Sequence, residues 1–132
     1  MVVTPIYAGL LAILFVVLSY RVILLRGHGV SLGDGGNPLL LRRIRAHGNF
    51  SEYVPFILLM MAMLELSHFS TYLLHALGIT LVAARLLHGY ALSFTEKFKF
   101  GRFWGTALTF ALLGVCGVLC LYQGVHAYLR MA

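Results

Sequence analysis

The chain has 132 residues, of which 61% are hydrophobic and only 11% are charged, and its mean hydropathy is +0.91. A water-soluble core of this size cannot hide so much apolar surface, so the composition excludes an ordinary soluble domain. The net charge is +6, but the basic residues gather at the ends of apolar segments, which argues against nucleic-acid binding. We expect one domain over residues 1–132, because no low-complexity stretch divides the chain.

The first apolar stretch runs from about residue 4 to about residue 25, close to the ~20 residues that a ~30 Å hydrocarbon core requires. No basic residue precedes this stretch and no small-residue cleavage site follows it. We therefore expect a retained span and not a cleaved signal peptide. Residues 27–37 are rich in glycine and predict a loop.

Three further apolar stretches, at about 39–66, 71–94 and 103–129, predict three more membrane helices. The third stretch contains a single charge, Arg85. A charged group inside a span costs a few kcal/mol, so it persists mainly where it pairs or lines a polar cavity. The first third of the second stretch carries a larger polar set: Arg42, Arg43, Arg45, His47, Asn49 and Glu52.

The predicted fold is an all-α integral membrane bundle of four helices. The second loop carries only Glu65, whereas basic residues flank the other two loops. The positive-inside rule then places both basic loops in the cytoplasm and both termini outside. The flanking basic residues are Arg26, Arg42, Arg43 and Arg45 at the first loop, and Lys97, Lys99 and Arg102 at the third.

One face of the fourth helix carries small residues, Ala107, Ala111, Gly114 and Gly117. Small residues let membrane helices approach closely, so we expect this face to pack within the bundle or against another subunit.

The cysteines and histidines give no sign of a metal or redox site. Cys116 and Cys120 are four residues apart within an apolar run, where helix geometry disfavours an unstrained disulfide. The six histidines lack cysteine or carboxylate neighbours at ligand spacing. We expect packing roles for the cysteines and no bound metal.

Two polar stripes are expected to meet at the cytoplasmic end of the bundle. Arg45, Asn49 and Glu52 share one face of the second helix because they are spaced by four and three residues. Arg85 and His88 form a similar stripe on the third helix. Because consecutive helices run in opposite directions, the two stripes lie at one depth.

The simplest explanation of the stripes is structural, with Glu52 paired to Arg45 or Arg85 to join the helices. One carboxylate, however, cannot neutralise Arg45, Arg85 and Arg102 together. The excess positive charge therefore predicts an anionic ligand.

Residues 42–55 read Arg-Arg-Ile-Arg-Ala-His-Gly-Asn-Phe-Ser-Glu-Tyr-Val-Pro. This segment resembles the signature of the MAPEG family, the membrane-associated proteins of eicosanoid and glutathione metabolism, which reads Arg-Ala-x-x-Asn-x-x-Glu-Tyr-x-Pro. The Ala84-Arg85-Leu86 segment resembles a second motif of the family, so the resemblance covers most of the chain. The bacterial branch, similar to microsomal glutathione transferases, is the most similar.

The resemblance implies a homotrimer that binds glutathione between subunits near the cytoplasmic face. Arg102 matches the arginine that activates the thiol, with Lys99 and Arg26 as rivals. Arg26 and His47 match positions that the neighbouring subunit contributes. The remaining candidate ligands from one subunit are Arg45, Asn49, Glu52, Tyr53 and Arg85, with His88 added from the third-helix stripe.

His88 and Leu92 occupy positions where eicosanoid synthases of the family often have tyrosines. The resemblance therefore favours a general glutathione transferase or peroxidase of a bacterial inner membrane, acting on lipophilic electrophiles or hydroperoxides. A non-catalytic lipid-binding or scaffold member of the family is the alternative. A small multidrug transporter is a third hypothesis, but it does not require the arginines or the Asn-x-x-Glu-Tyr pattern.

The orientation is open to a direct test with impermeant thiol reagents. Cysteines placed at 66–69 are expected to react from outside the cell, and cysteines placed at 29–36 are not, because the positive-inside rule assigns them to opposite sides. The reverse labelling pattern would overturn this topology.

Overall fold

The computed structural model describes residues 1–27 and 29–131. These residues form four α-helices and no strand, each helix long and apolar enough to cross a membrane. The predicted all-helical fold with four membrane spans is thereby confirmed. The helices are α1 (Val3–Arg26), α2 (Pro38–Leu66), α3 (Thr71–Ser93) and α4 (Lys99–Met131).

The beginning of α2 follows from its sequence. The side chain of Asn37 accepts hydrogen bonds from the backbone N–H groups of Leu39 and Leu40, at 3.0 and 3.2 Å. Pro38 occupies the first helical turn, where its missing N–H costs nothing. This cap fixes the residue at which α2 begins, and the polar set from Arg42 to Glu52 follows within its first four turns.

The fourth helix begins at Lys99, whereas hydropathy predicted a start near Phe103. The difference arises because Lys99 and Arg102 lower the hydropathy of the first turn without preventing a helix. Lys99 and Arg102 therefore point in directions fixed by α4, and do not belong to a free loop.

The second and third helices form the centre of the bundle, because each contacts all three other helices, while α1 and α4 do not touch each other within the described chain. Of the two, α3 packs more extensively against α4. Its contact with α4 depends on glycine. A Cβ atom at Gly105 would lie 2.7 Å from the Cβ atom of His88 and 2.8 Å from the carbonyl oxygen of Ala84. The absence of a side chain at Gly105 thus lets the backbone of α4 rest against α3.

The predicted small-residue face of α4 does not take part in this contact. Ala111 and Gly114 are exposed, and a Cβ atom at Gly114 would meet nothing within 4 Å. The expectation that this face packs within the bundle is therefore wrong for a single subunit. The alternative, packing against another subunit, stays a prediction.

At the end of the bundle opposite the basic loops, Glu65 near the end of α2 caps the beginning of α1. Its carboxylate accepts hydrogen bonds from the backbone N–H groups of Val3 and Thr4, both at 2.8 Å, and also from that of Val2. The helix dipole favours an anion at this position. This contact gives the acidic residue of the second loop a structural role.

At the basic end, two arginines tie α1 to its neighbours. The guanidinium of Arg21 donates to the side-chain and backbone oxygens of Ser93, at 2.7 and 2.6 Å, and lies 3.6 Å from the centre of the Phe94 ring. Arg43 donates to the backbone oxygen of Arg21 at 2.7 Å. Both residues therefore join neighbouring helices, and Arg21 in addition satisfies the free carbonyl at the end of α3.

Candidate anion-binding site

A cavity of about 330 Å³ lies between α2, α3 and α4 at the basic end of the bundle. We call it the arginine cavity. Helical spacings of three and four residues bring its polar side chains to one side of each helix. The residues that line it are Leu41, Arg42, Arg45, Asn49, His88, Leu92, Arg102 and Thr106.

The arginine cavity is strongly cationic. Three guanidinium groups line it, and none of its lining residues carries a carboxylate. Arg42 forms an ion pair with Glu96 at 3.3 Å, which is the one ion pair within residues 1–27 and 29–131. Guanidinium groups in a fixed arrangement suit planar anions such as carboxylates, which they bind through paired hydrogen bonds.

Arg85 lies behind the cavity and not in its lining. The residue is 1% exposed, and its guanidinium donates to the Oδ1 atom of Asn49 at 2.9 Å and to the carbonyl oxygen of Gly105 at 3.1 Å. It also donates to the hydroxyl of Thr109. In this subunit the Arg85 guanidinium is therefore engaged by protein groups, and a direct contact with a ligand stays a prediction.

The contact with Arg85 determines how Asn49 faces the cavity. An arginine only donates hydrogen bonds, so the Asn49 oxygen must face Arg85. The Nδ2 amide group of Asn49 is then left as a donor for a ligand.

Glu52 and Tyr53 lie outside the arginine cavity. Glu52 is exposed and forms no ion pair with Arg45 or Arg85 in the described part of the chain, so the structural alternative of a helix-joining pair is not observed. Tyr53 packs against Phe110, with ring centres 5.4 Å apart. The reason is geometric, since Asn49 already occupies the position nearest to Arg85.

An exposed glutamate at this depth is unusual. Glu52 follows the first residue of α2 by about 21 Å along the helix axis, at 1.5 Å per residue. Glu52 thus lies near the middle of α2, which is itself a candidate membrane span. An ionised side chain is costly in lipid unless a polar group covers it. The face of α2 that carries Glu52 therefore requires a polar partner in addition to lipid.

Arg26 and His47 line a second cavity, of about 340 Å³, together with residues of α1. His47 stacks on Phe15 with ring centres 4.6 Å apart, and Arg26 donates to the carbonyl oxygen of Ser31 at 2.9 Å. His47 is two residues from both Arg45 and Asn49, which is about 200° around a helix. One subunit therefore does not bring the two groups of predicted site residues together.

A groove along α4 adjoins the arginine cavity on its apolar side. Its volume is about 520 Å³, and Arg102 and Thr106 line both spaces. The groove continues past Phe103, Ala107 and Phe110, with Lys99 at its polar end. A molecule dissolved in the bilayer can thus approach Arg102 from the side.

Sequence reasoning missed the position of Arg42 in the lining of the cavity and used this residue only to assign topology. The signal was present, because Arg42 precedes Arg45 by three residues and so shares its helix face. Thr106, four residues after Arg102, was missed for the same reason.

The four spans and the cationic cavity at one end of them define a small integral membrane protein. The chain belongs to the MAPEG family, whose sequence model matches residues 4–122. It is 40% identical over 89 residues to the inner membrane protein YecN of Escherichia coli K12, an alignment that covers 67% of this chain and 68% of the relative. YecN of E. coli O6:H1 gives the same values. No solved structure matches the chain significantly.

The buried position of Arg85 generates a stability prediction. Arg85→Lys should lower the melting temperature of the detergent-purified protein, because an ammonium cannot reach Asn49, Gly105 and Thr109 together. An unsatisfied buried acceptor costs about 1–3 kcal/mol. The matched control is Arg102→Lys, where the exposed side chain should change stability by less than about 0.5 kcal/mol. Equal melting temperatures for the two variants would contradict the assignment.

Proposed function

We propose that this protein is a glutathione transferase or peroxidase of a bacterial inner membrane. The observation that carries the proposal is a cavity lined by three arginines and no carboxylate, which continues into an apolar groove on α4. Such a pair of spaces suits a reaction between a polar anion and a lipophilic partner.

Glutathione matches the charges of the site. It offers two carboxylates and one ammonium, so its binding requires guanidinium groups and one acidic side chain. Arg45 lines the cavity for a carboxylate, and the amide group of Asn49 supplies a further donor. Glu52 lies one turn beyond Asn49 on the same face of α2, where a ligand extending out of the cavity along the helix would bring its ammonium.

The proposed assembly is a homotrimer with the site at the cytoplasmic side. The second cavity, with Arg26 and His47, lies on the face of α2 opposite Arg45 and Asn49. A neighbouring copy that presents this face to the arginine cavity would complete the ligand shell and cover Glu52. Glu52 supports this assembly, because a single subunit leaves its charged side chain exposed on a helix that spans an apolar medium.

Arg102 is the proposed activator of the thiol. It lines both the cavity and the groove, so it lies where a bound thiol would meet a lipophilic substrate. A free thiol has a pKa near ~8.5, and lowering that pKa by about two units requires about 2.7 kcal/mol of preferential thiolate stabilisation. A permanently charged guanidinium in a poorly solvated site can supply this.

The thiolate sulfur would form a bond to an electrophilic carbon, with the electron pair leaving on the displaced group. With a lipid hydroperoxide, it would attack the terminal oxygen and release the alcohol. A second glutathione would then convert the resulting sulfenic acid to a disulfide and water.

Calorimetry with glutathione on the detergent-purified protein tests the binding step. Glu52→Gln should weaken binding by about 1.5–3 kcal/mol, because a charge-assisted hydrogen bond to the glutamyl ammonium is lost. Cross-linking in mild detergent should still stop at a trimer.

The control for Glu52 is a glutathione analogue without the glutamyl amine, which should bind wild type and Glu52→Gln equally. Loss of the trimer in Glu52→Gln would instead give this residue an assembly role. Absence of glutathione binding by the wild type would refute the proposed function, and binding without turnover would favour the lipid-binding alternative.

The thiolate absorbance of bound glutathione against pH tests Arg102. Arg102→Ala should raise the pKa of the bound thiol, so conjugation slows at neutral pH and recovers in part at alkaline pH. Lys99→Ala, at the polar end of the same groove, is the matched control and should leave the thiol pKa unchanged.

A shift of the thiol pKa in Lys99→Ala alone would move the role to Lys99. No shift in either variant would return the role to Arg26.

A further inference from the structure

The ion pair between Arg42 and Glu96 lies at the mouth of the arginine cavity. Arg42 is in the second turn of α2, and Glu96 is in the loop between α3 and α4. The Nη1 atom of Arg42 is 3.3 Å from the Oε1 atom of Glu96. The pair therefore joins the beginning of α2 to the loop that precedes Arg102.

Arg42 faces the ligand space and Glu96 at the same time. A recess of about 110 Å³ contains Glu96, Thr95 and Lys99, and it shares Arg42, Leu92 and Arg102 with the arginine cavity. An anion bound in the cavity is therefore within reach of the Arg42 guanidinium, which contacts Glu96 in this structure.

The contact between Arg42 and Glu96 leaves the guanidinium incompletely used. The Arg42 side chain is 26% exposed, whereas that of Glu96 is 75% exposed. A carboxylate inside the cavity that engaged two nitrogens would bind more strongly than the single long contact with a solvated glutamate.

The geometry points to a further ligand-binding residue, Arg42, and to Glu96 as an internal substitute for a carboxylate of the ligand. Without ligand, Glu96 holds the Arg42 side chain at the cavity. When ligand binds, its carboxylate displaces Glu96 and the loop between α3 and α4 loses this tether. This inference rests on the proposed function, in which the ligand is glutathione.

If the ligand displaces Glu96, the carboxylates of the ligand and of Glu96 compete for Arg42. Removal of the Glu96 charge should therefore tighten glutathione binding. Glu96→Gln removes the competitor and leaves Arg42 available, so glutathione should bind about two- to fivefold more tightly, as expected for loss of an exposed pair. Arg42→Ala removes a charge-assisted contact and should weaken binding at least about tenfold. In the Arg42→Ala background, Glu96→Gln should have no further effect.

Asp34→Asn is the matched control for the loss of one negative charge. Asp34 is in the first loop at the same end of the bundle, and its carboxylate accepts a hydrogen bond from the N–H group of Gly36 at 3.1 Å. This substitution makes the same change in net charge without altering the contact to Arg42. It should leave the affinity for glutathione within twofold of the wild type.

The experiment is calorimetry with glutathione on wild type, Glu96→Gln, Asp34→Asn, Arg42→Ala and the Arg42→Ala/Glu96→Gln double variant. A gain in Glu96→Gln that disappears in the double variant supports the inference. An equal gain in Asp34→Asn, or a gain that persists without Arg42, would overturn it and leave only a long-range effect of charge. Failure of wild type to bind glutathione would refute the proposed function itself, and with it this inference.

Discussion

The arrangement of α2, α3 and α4 depends on one buried cation. Arg85 lies in the centre of the bundle, where no bulk water can satisfy its donors, so the neighbouring helices must supply acceptors. They do so for the two terminal nitrogens, with the side chain of Asn49, the backbone of Gly105 and the hydroxyl of Thr109, whereas the Nε atom has no partner in the described chain. The orientation of Asn49 towards the cavity and the position of α4 are consequences of the same requirement.

The basic residues divide into two groups that composition alone does not separate. Arg21, Arg43 and Arg85 donate to oxygen atoms of the protein and hold helices together. Arg45 and Arg102 line a cavity without a carboxylate in its lining, so they are available to a ligand. The positive charge thus serves two ends in the folded chain, namely packing and a cationic cavity.

Sequence reasoning predicted the four spans well, because a span is defined by a long apolar run whose length the bilayer sets. It also predicted that Arg45, Asn49 and His88 would share one site, since helical spacing determines which side chains have a common face. Spacing does not tell which of two neighbouring polar groups, Asn49 or Glu52, will occupy the position next to a buried guanidinium, so it could not predict that Arg85 contacts Asn49 and lies behind the cavity.

The close approach of α4 at Gly105 has a consequence for how the protein can evolve. Arg102 lies one turn before Gly105, so its position depends on a contact between backbones, which no exchange of core side chains displaces. Apolar residues in the other half of α4, such as Leu112 and Cys116, can therefore be replaced by others of similar volume without moving Arg102. Change in the apolar half of α4 and retention of the cationic cavity are thus separable along a single helix.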